Sequence, residues 1–191
     1  MLRKDAEKLM LDISSNQRDH DAAHQAFIIL KEAIKSEPEM MKSYWDKIAS
    51  YLYRKNVSVR VRATLLLGDL IPYVDHEQFD AIFNTLLRQM ESDSVVVAST
   101  FASIIPQIIK SKPDFEERIM KRILDTDKIK HKNRHWQIIK NSIVEAMDQY
   151  MDYSLKDDRV IDFIKGASQS SSPKTKKTAK RILKKRNIIT E

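Results

Sequence analysis

The chain contains no cysteine. That excludes a disulfide framework and a thiolate zinc site, and it fits a reducing compartment. Glycine is almost as scarce, with two in 191 residues, and there are five prolines. So little turn-forming material argues against a sheet-rich fold built from tight hairpins. Two isolated glycines also cannot build a phosphate-cradling loop. No apolar run approaches the roughly 18 residues that cross a bilayer as a helix. The opening Met1-Leu2-Arg3-Lys4-Asp5 is charged at once and lacks the apolar stretch of a secretory signal. A cytoplasmic protein without a membrane span is the expectation.

What is present is helical periodicity. The clearest stretch is Asn56 to Asp75, NVSVRVRATLLLGDLIPYVD. Val59, Ala63, Leu66, Leu67 and Leu70 recur at steps of three and four, which places them on one helix face. Val61, Leu65 and Ile71 widen that face beyond a surface stripe, so the helix is expected to be covered on two sides. Gly68 in mid-helix costs about 1 kcal/mol against alanine, which close approach of a neighbouring helix would explain. Pro72 lies near the end, where a kink or stop is tolerated. The pattern then returns: Leu67-Gly68-Asp69-Leu70-Ile71-Pro72 aligns with Phe101-Ala102-Ser103-Ile104-Ile105-Pro106. A repeat of this length is the mark of stacked helical hairpins.

The remaining chain reads as paired helices. Arg3 to Ser14 turns Leu2, Ala6, Leu9, Met10 and Ile13 inward; Asp21 to Ser36 does so with Ala23, Phe27, Leu30 and Ile34. A continuous third helix is predicted over Glu39 to Arg54, burying Met41, Tyr44, Trp45, Ile48, Tyr51 and Leu52. Another runs from Asp75 or His76 to Met90 on Phe79, Ile82, Phe83, Leu86 and Leu87. Ser92-Asp93-Ser94 is expected to cap the next, which ends near Lys110. Phe115 to Asp125 follows, and then Arg134 to Tyr150 with Trp136, Ile139, Ile143, Val144 and Met147 inside. A short helix from Asp157 to Lys165 is expected to stop at Gly166 in the position just past its end. Ala167 to Ser172 reads as a flexible serine-rich turn. Ser172 as N-cap and Pro173 at the first helical position then start the last helix, within 172–187. About ten helices in five antiparallel pairs result, each too wide in its apolar surface to stand alone. The expected fold is all-α, a single α-solenoid domain over residues 1–191, with a compact helical bundle as the alternative.

Val59-Arg60-Val61-Arg62-Ala63 followed by Leu67-Gly68-Asp69-Leu70 resembles the second helix of a HEAT repeat, where Val-Arg, Ala and Leu-Gly recur in that order. Asp93 to Lys110 keeps the Asp and Val of that pattern but lacks the Arg. The resemblance to the HEAT/armadillo family implies a right-handed solenoid and a scaffold that binds other macromolecules. It names no partner. Some HEAT-like proteins are DNA glycosylases with a Trp, Asp and Arg cleft, but this chain matches that cleft only by residue type.

The net charge of +7 is unevenly distributed. From Lys165 onward there are nine Lys or Arg and a single acid, Glu191, while the preceding residues are close to neutral. Such asymmetry points toward a polyanionic partner. On a helical wheel Thr175, Ala179, Ile182 and Leu183 share one side of the last helix, and Lys174, Lys177, Lys180, Arg181, Lys184 and Lys185 crowd the other. A solvated cap on the last repeat would explain a polar face. Solubility alone, however, is met by mixed charge, and this face has no acid. Phosphate contact, docking to an acidic protein, or an import-like signal at Lys184-Lys185-Arg186 are the functional alternatives. With Arg60, Arg62, Lys130, Lys132 and Arg134, the residues Lys177, Lys180, Arg181, Lys184 and Lys185 are the candidate partner-binding or nucleic-acid-binding set, a broken strip along successive second helices.

Lys128 to Trp136 interleaves basic residues with an indole, a mix that can grip phosphate and stack a base. Spacing with Ile139 and Ile143 instead predicts Trp136 as core. His20 with His24, and His131 with His135, have the four-residue spacing of paired ligands, but zinc needs a third and fourth, and no HExxH or cysteine cluster is present. The serine run could accept phosphate beside the basic helix. No catalytic residue, metal or cofactor is expected. The leading function is a non-catalytic scaffold for protein–protein interaction, with nucleic-acid binding through the basic C-terminal half as the alternative.

Overall fold

The computed structural model describes residues 3–14, 20–124, 135–154 and 157–188. Among them are eleven α-helices and three short 3-10 turns, with no strand. The helices are α1 (Arg3–Ser14), α2 (His20–Ser36), α3 (Pro38–Lys42), α4 (Trp45–Ser50), α5 (Val57–Leu70) and α6 (His76–Arg88). They continue with α7 (Val95–Ser111), α8 (Glu116–Leu124), α9 (Trp136–Tyr150), α10 (Asp158–Ala167) and α11 (Pro173–Lys185). No helix of the described residues is long and apolar enough to cross a membrane. The chain divides into two compact units, Met1–Arg88 and Gln89–Glu191.

In the first unit α5 is the central element and packs against α1, α2, α3 and α4. Its start is set locally: Asn56 takes the N-cap, and its Oδ1 accepts the Val59 N–H at 3.2 Å. Val59, Ala63, Leu66, Leu67, Leu70 and the following Ile71 are buried, as the periodicity predicts, and Gly68 is buried with them. Val61 and Leu65 are only half-buried, so the flanks of the face are less covered than its centre.

The third helix is not continuous. It breaks after Lys42, where Ser43 and Tyr44 make tight bonds to Met40 and Met41, and it restarts at Trp45 before tightening into a 3-10 turn over Tyr51–Tyr53. Two forces act here. The Ser43 hydroxyl donates to the Met40 carbonyl at 2.6 Å, competing locally with helix continuation. The large buried rings also need partners for their polar ends: Trp45 Nε1 donates to the Gln78 carbonyl at 3.2 Å, and the Tyr51 hydroxyl to the Met10 carbonyl at 2.9 Å.

In the second unit α7 packs on α9, and α9 packs on both α10 and α11. The aligned prolines behave differently. Pro72 lies in the turn beyond α5, whereas α7 continues through Pro106 to Ser111. An interior proline costs about 3 kcal/mol. Past Pro106, Ile108 and Ile109 are buried, and each such side chain is worth roughly 1.5–3 kcal/mol. The chain after Pro72 offers instead a turn into the next helix, whose Asp75 accepts the Gln78 N–H at 2.8 Å. At the start of α7, Ser94 occupies the N-cap, but its side chain makes no capping bond; Ser92 Oγ instead accepts the Ser94 N–H.

Gly166 departs from expectation as well. It lies inside α10 with helical backbone, and the helix ends one residue later, at Ala167. Ser168, not Gly166, closes it, donating its N–H to the Ile164 and Lys165 carbonyls. A Cβ at Gly166 would meet nothing within 4 Å. Gly166→Ala is therefore expected to stabilise the protein by about 0.5–1 kcal/mol, through helix propensity and unfolded-state entropy. A higher urea midpoint checks it; a left-handed glycine would give a lower one. By contrast Leu67→Ala, at a fully buried site in α5, is expected to cost about 3 kcal/mol in the same titration.

Candidate binding face on the terminal helix

The last helix is fixed locally at both ends. Ser172 takes the N-cap, its Oγ accepting the Thr175 N–H at 3.4 Å, and Pro173 supplies the first helical residue. At the other end Asn187 adopts a left-handed conformation (φ 54), the Asn187 N–H reaches the Lys184 carbonyl, and the Ile188 N–H reaches Leu183. This pair of bonds is a Schellman closure, with asparagine in the place usual for glycine.

The helix packs on α9 and α10 and does not extend as a free arm. Thr175, Thr178, Ala179, Ile182 and Leu183 are buried. The serine-rich turn before it is tied to α9: Ser170 Oγ donates to Gln137 Oε1 at 2.8 Å, and Thr175 Oγ1 to the Gln137 carbonyl at 3.0 Å.

Its outer side is uniformly cationic. Lys174, Lys176, Lys177, Lys180, Arg181, Lys184 and Lys185 are all exposed. Of the residues singled out in the sequence, Lys177, Lys180, Arg181, Lys184 and Lys185 thus share one surface. Lys174 and Lys176 join them.

Lys185 differs from the rest because it is already paired. Asp148, buried on α9, receives Lys185 Nζ at 3.0 Å and the Arg186 guanidinium at 2.7 and 2.8 Å. Arg186 also donates to the Asp148 carbonyl, near the C-terminus of α9, and to Asp152 at 2.6 Å. One arginine therefore neutralises a buried carboxylate and caps a helix end, two tasks that suit its planar, multi-donor fork. Burial pushes the Asp148 carboxyl up, but hydrogen bonds from Arg186 and Lys185, together with their charges, outweigh it and hold the group below its ordinary value. Asp148 lies four residues after Val144 and one after Met147, on the inward stripe of α9. An acid on such a stripe is the sequence signal for this clamp.

Other cations of the second unit also have partners. Arg122 pairs with Glu91, and Arg159 with Asp157 at 2.8 Å and Glu117 at 2.7 Å. Arg118 lies over the Phe115 ring at 5.3 Å, and Lys140 over Phe163 at 5.7 Å. The exposed positions of α7 are Val96, Ser103 and Lys110, and those of α9 are Ile138, Glu145 and Gln149. Among α7, α9 and α11, dense positive charge is confined to α11.

The remaining candidates lie elsewhere. Arg60 and Arg62 belong to the first unit, on α5, and both are half-buried. Arg62 donates to the Ile13 carbonyl in the last turn of α1 at 3.4 Å, and burial lowers its pKa. Lys130, Lys132, Arg134 and His131 lie outside the described residues, as does the rest of the basic linker before His135. Trp136 is a buried core residue of α9. Among the described residues no group of three or more His, Asp or Glu side chains is arranged to hold a metal ion.

The clamp has a pH signature. A carboxyl held below its ordinary 3.8 when folded contributes its full stability above the unfolded value and loses it as pH falls through the folded one. Asp148→Asn is expected to cost about 3 kcal/mol near neutral pH, because two cations lose a buried partner. Urea midpoints of the parent and variant should converge as pH is lowered below about 4. A constant gap across that range would show that Asp148 acts by packing alone. Comparison with protein-family models and with curated proteins finds no match to this chain.

Proposed function

We propose that this chain is a non-catalytic macromolecular-binding scaffold, a right-handed α-solenoid of HEAT/armadillo-like helix pairs that engages another protein through its repeat surface. The observation that carries this reading is the order of packing within each unit. In the first, α2 packs on α5 across the intervening α3 and α4. In the second, α7 packs on α9 and α9 on α11, while α8 packs on α10. Alternate helices stacking on one another is how paired-helix repeats extend a core, and it supports a solenoid over a compact bundle. A stack of this kind presents the outer faces of its helices to a partner. On α2 that face carries Ile28 and Ile29, 41% and 46% exposed, beside the exposed polar residues His24, Gln25 and Glu32. Two adjacent apolar side chains framed by polar ones suit a desolvated interface centre with a polar rim.

A second reading, nucleic-acid binding through the basic C-terminal half, is favoured by the cationic face of α11. The protein-binding reading is tested by affinity capture with the full chain at physiological salt. A protein partner is expected to be retained, and Ile28→Asp with Ile29→Asp to weaken its binding about tenfold or more with the thermal midpoint unchanged. Capture of no protein, or a partner indifferent to both substitutions, counts against it.

A further inference from the structure

The cationic face of α11 is unusual in what it lacks. Lys174, Lys176, Lys177, Lys180, Arg181 and Lys184 are exposed, and among the described residues none of their side chains makes an ion pair or hydrogen bond. Like charges three and four residues apart destabilise a helix, and cations in its first turn oppose the macrodipole. Lys174 and Lys176 occupy that first turn, and Lys177, Lys180, Arg181 and Lys184 stand at the repelling spacings. The helix tolerates them because its inner face is buried on α9 and α10, its ends are closed, and Arg186 anchors it to Asp148. The charges are therefore held in a fixed array instead of on a mobile tail.

The array extends over about 15 Å of helix axis. Duplex nucleic acid carries one negative charge per about 1.7 Å of its own axis, so both partners are densely and uniformly charged. Composition separates the ligand classes. Protein interfaces draw their energy from aromatic and apolar anchors and are depleted in lysine. Here five of the six side chains are lysine, and no apolar or aromatic residue is exposed between them. The same lack removes the wedge that a membrane-surface helix inserts into lipid. It also removes the rings on which single-stranded bases stack. What remains is a row of flexible point charges suited to phosphate oxygens.

Resting on the nucleic-acid reading, we infer that the exposed face of α11 binds the phosphate backbone of duplex nucleic acid without sequence preference. Lys185 and Arg186 stand outside the array, as the clamp that holds it in place.

The test is binding of the full chain to a fluorescent random-sequence DNA duplex, by anisotropy, across a salt series. Log affinity should fall linearly with log salt, with a slope of up to about −5 for six phosphates neutralised, and two duplexes of unrelated sequence should bind alike. Lys177→Gln, Lys180→Gln and Lys184→Gln combined should weaken binding more than tenfold and reduce the slope by about 0.9 per cation removed. Lys47→Gln, in the first unit, should change neither; circular dichroism spectra should match for all variants, and the triple variant should melt no lower than the parent. Binding that survives the triple substitution would overturn the assignment to α11 while leaving nucleic-acid binding intact. Absence of binding at low salt would overturn both. Equal or tighter binding to polyglutamate, or to vesicles rich in anionic lipid, would reassign the face to an acidic protein or a membrane surface.

Discussion

Both units depend on the burial of helix faces too wide for one partner to cover. In α5, Ala63, Leu66, Leu67 and Leu70 have no solvent exposure, and four other helices contribute to covering them. In the second unit Ile139, Ile143, Val144 and Met147 of α9 are buried in the same way, between α7 on one side and α10 and α11 on another. A two-helix hairpin cannot satisfy such faces, so further helices must pack onto it. That requirement makes helix stacking an energetic necessity and leaves outer faces free to vary in chemistry.

Polar tips inside these cores determine register. Tyr51 bonds the Met10 carbonyl, Trp45 the Gln78 carbonyl, and Tyr153 the Pro106 carbonyl at 2.5 Å. Tyr150 donates to Glu116 at 2.7 Å while accepting from Ser154. Burial pushes its hydroxyl up to about 12, against Ser154 and with Glu116, so it remains a donor throughout the physiological range. Apart from the local Ser154 bond, these join segments distant in sequence, and a slip by one turn would leave a buried polar group without a partner. The Asp148 clamp is the charged version of the same device. It is also what permits a crowded cationic surface on the last helix, since Lys185 and Arg186 meet acids while their neighbours meet solvent.

The charge distribution makes sense in those terms. Basic residues on α8, α9 and α10 are mostly matched by a carboxylate or a ring within their own unit, as with Arg122, Lys140 and Arg159. Among the described residues, those on α11 and the Arg186 that follows are matched only where they secure the helix. Sequence alone counts every cation equally, and pairing sorts them into structural and available ones.

Helix content, the inward residues of α5 and α9, the Ser172 cap and the burial of Trp136 were all legible in the sequence. They follow from local periodicity and from side chains that bond their own backbone a few residues away. The passage of α7 through Pro106 agrees with the helix read as ending near Lys110, whereas the break at Ser43 and the helical Gly166 were not legible. At the latter two, local propensity was balanced or opposed, and packing decided the outcome. The donation from Arg62 to Ile13 and the pairing of Arg186 with Asp148 were also hidden, since they link residues far apart in the chain. Sequence by itself determined that this protein is helical, which faces are apolar and where positive charge accumulates. Only tertiary structure decided which of those charges have partners, because pairing depends on distances that folding alone sets.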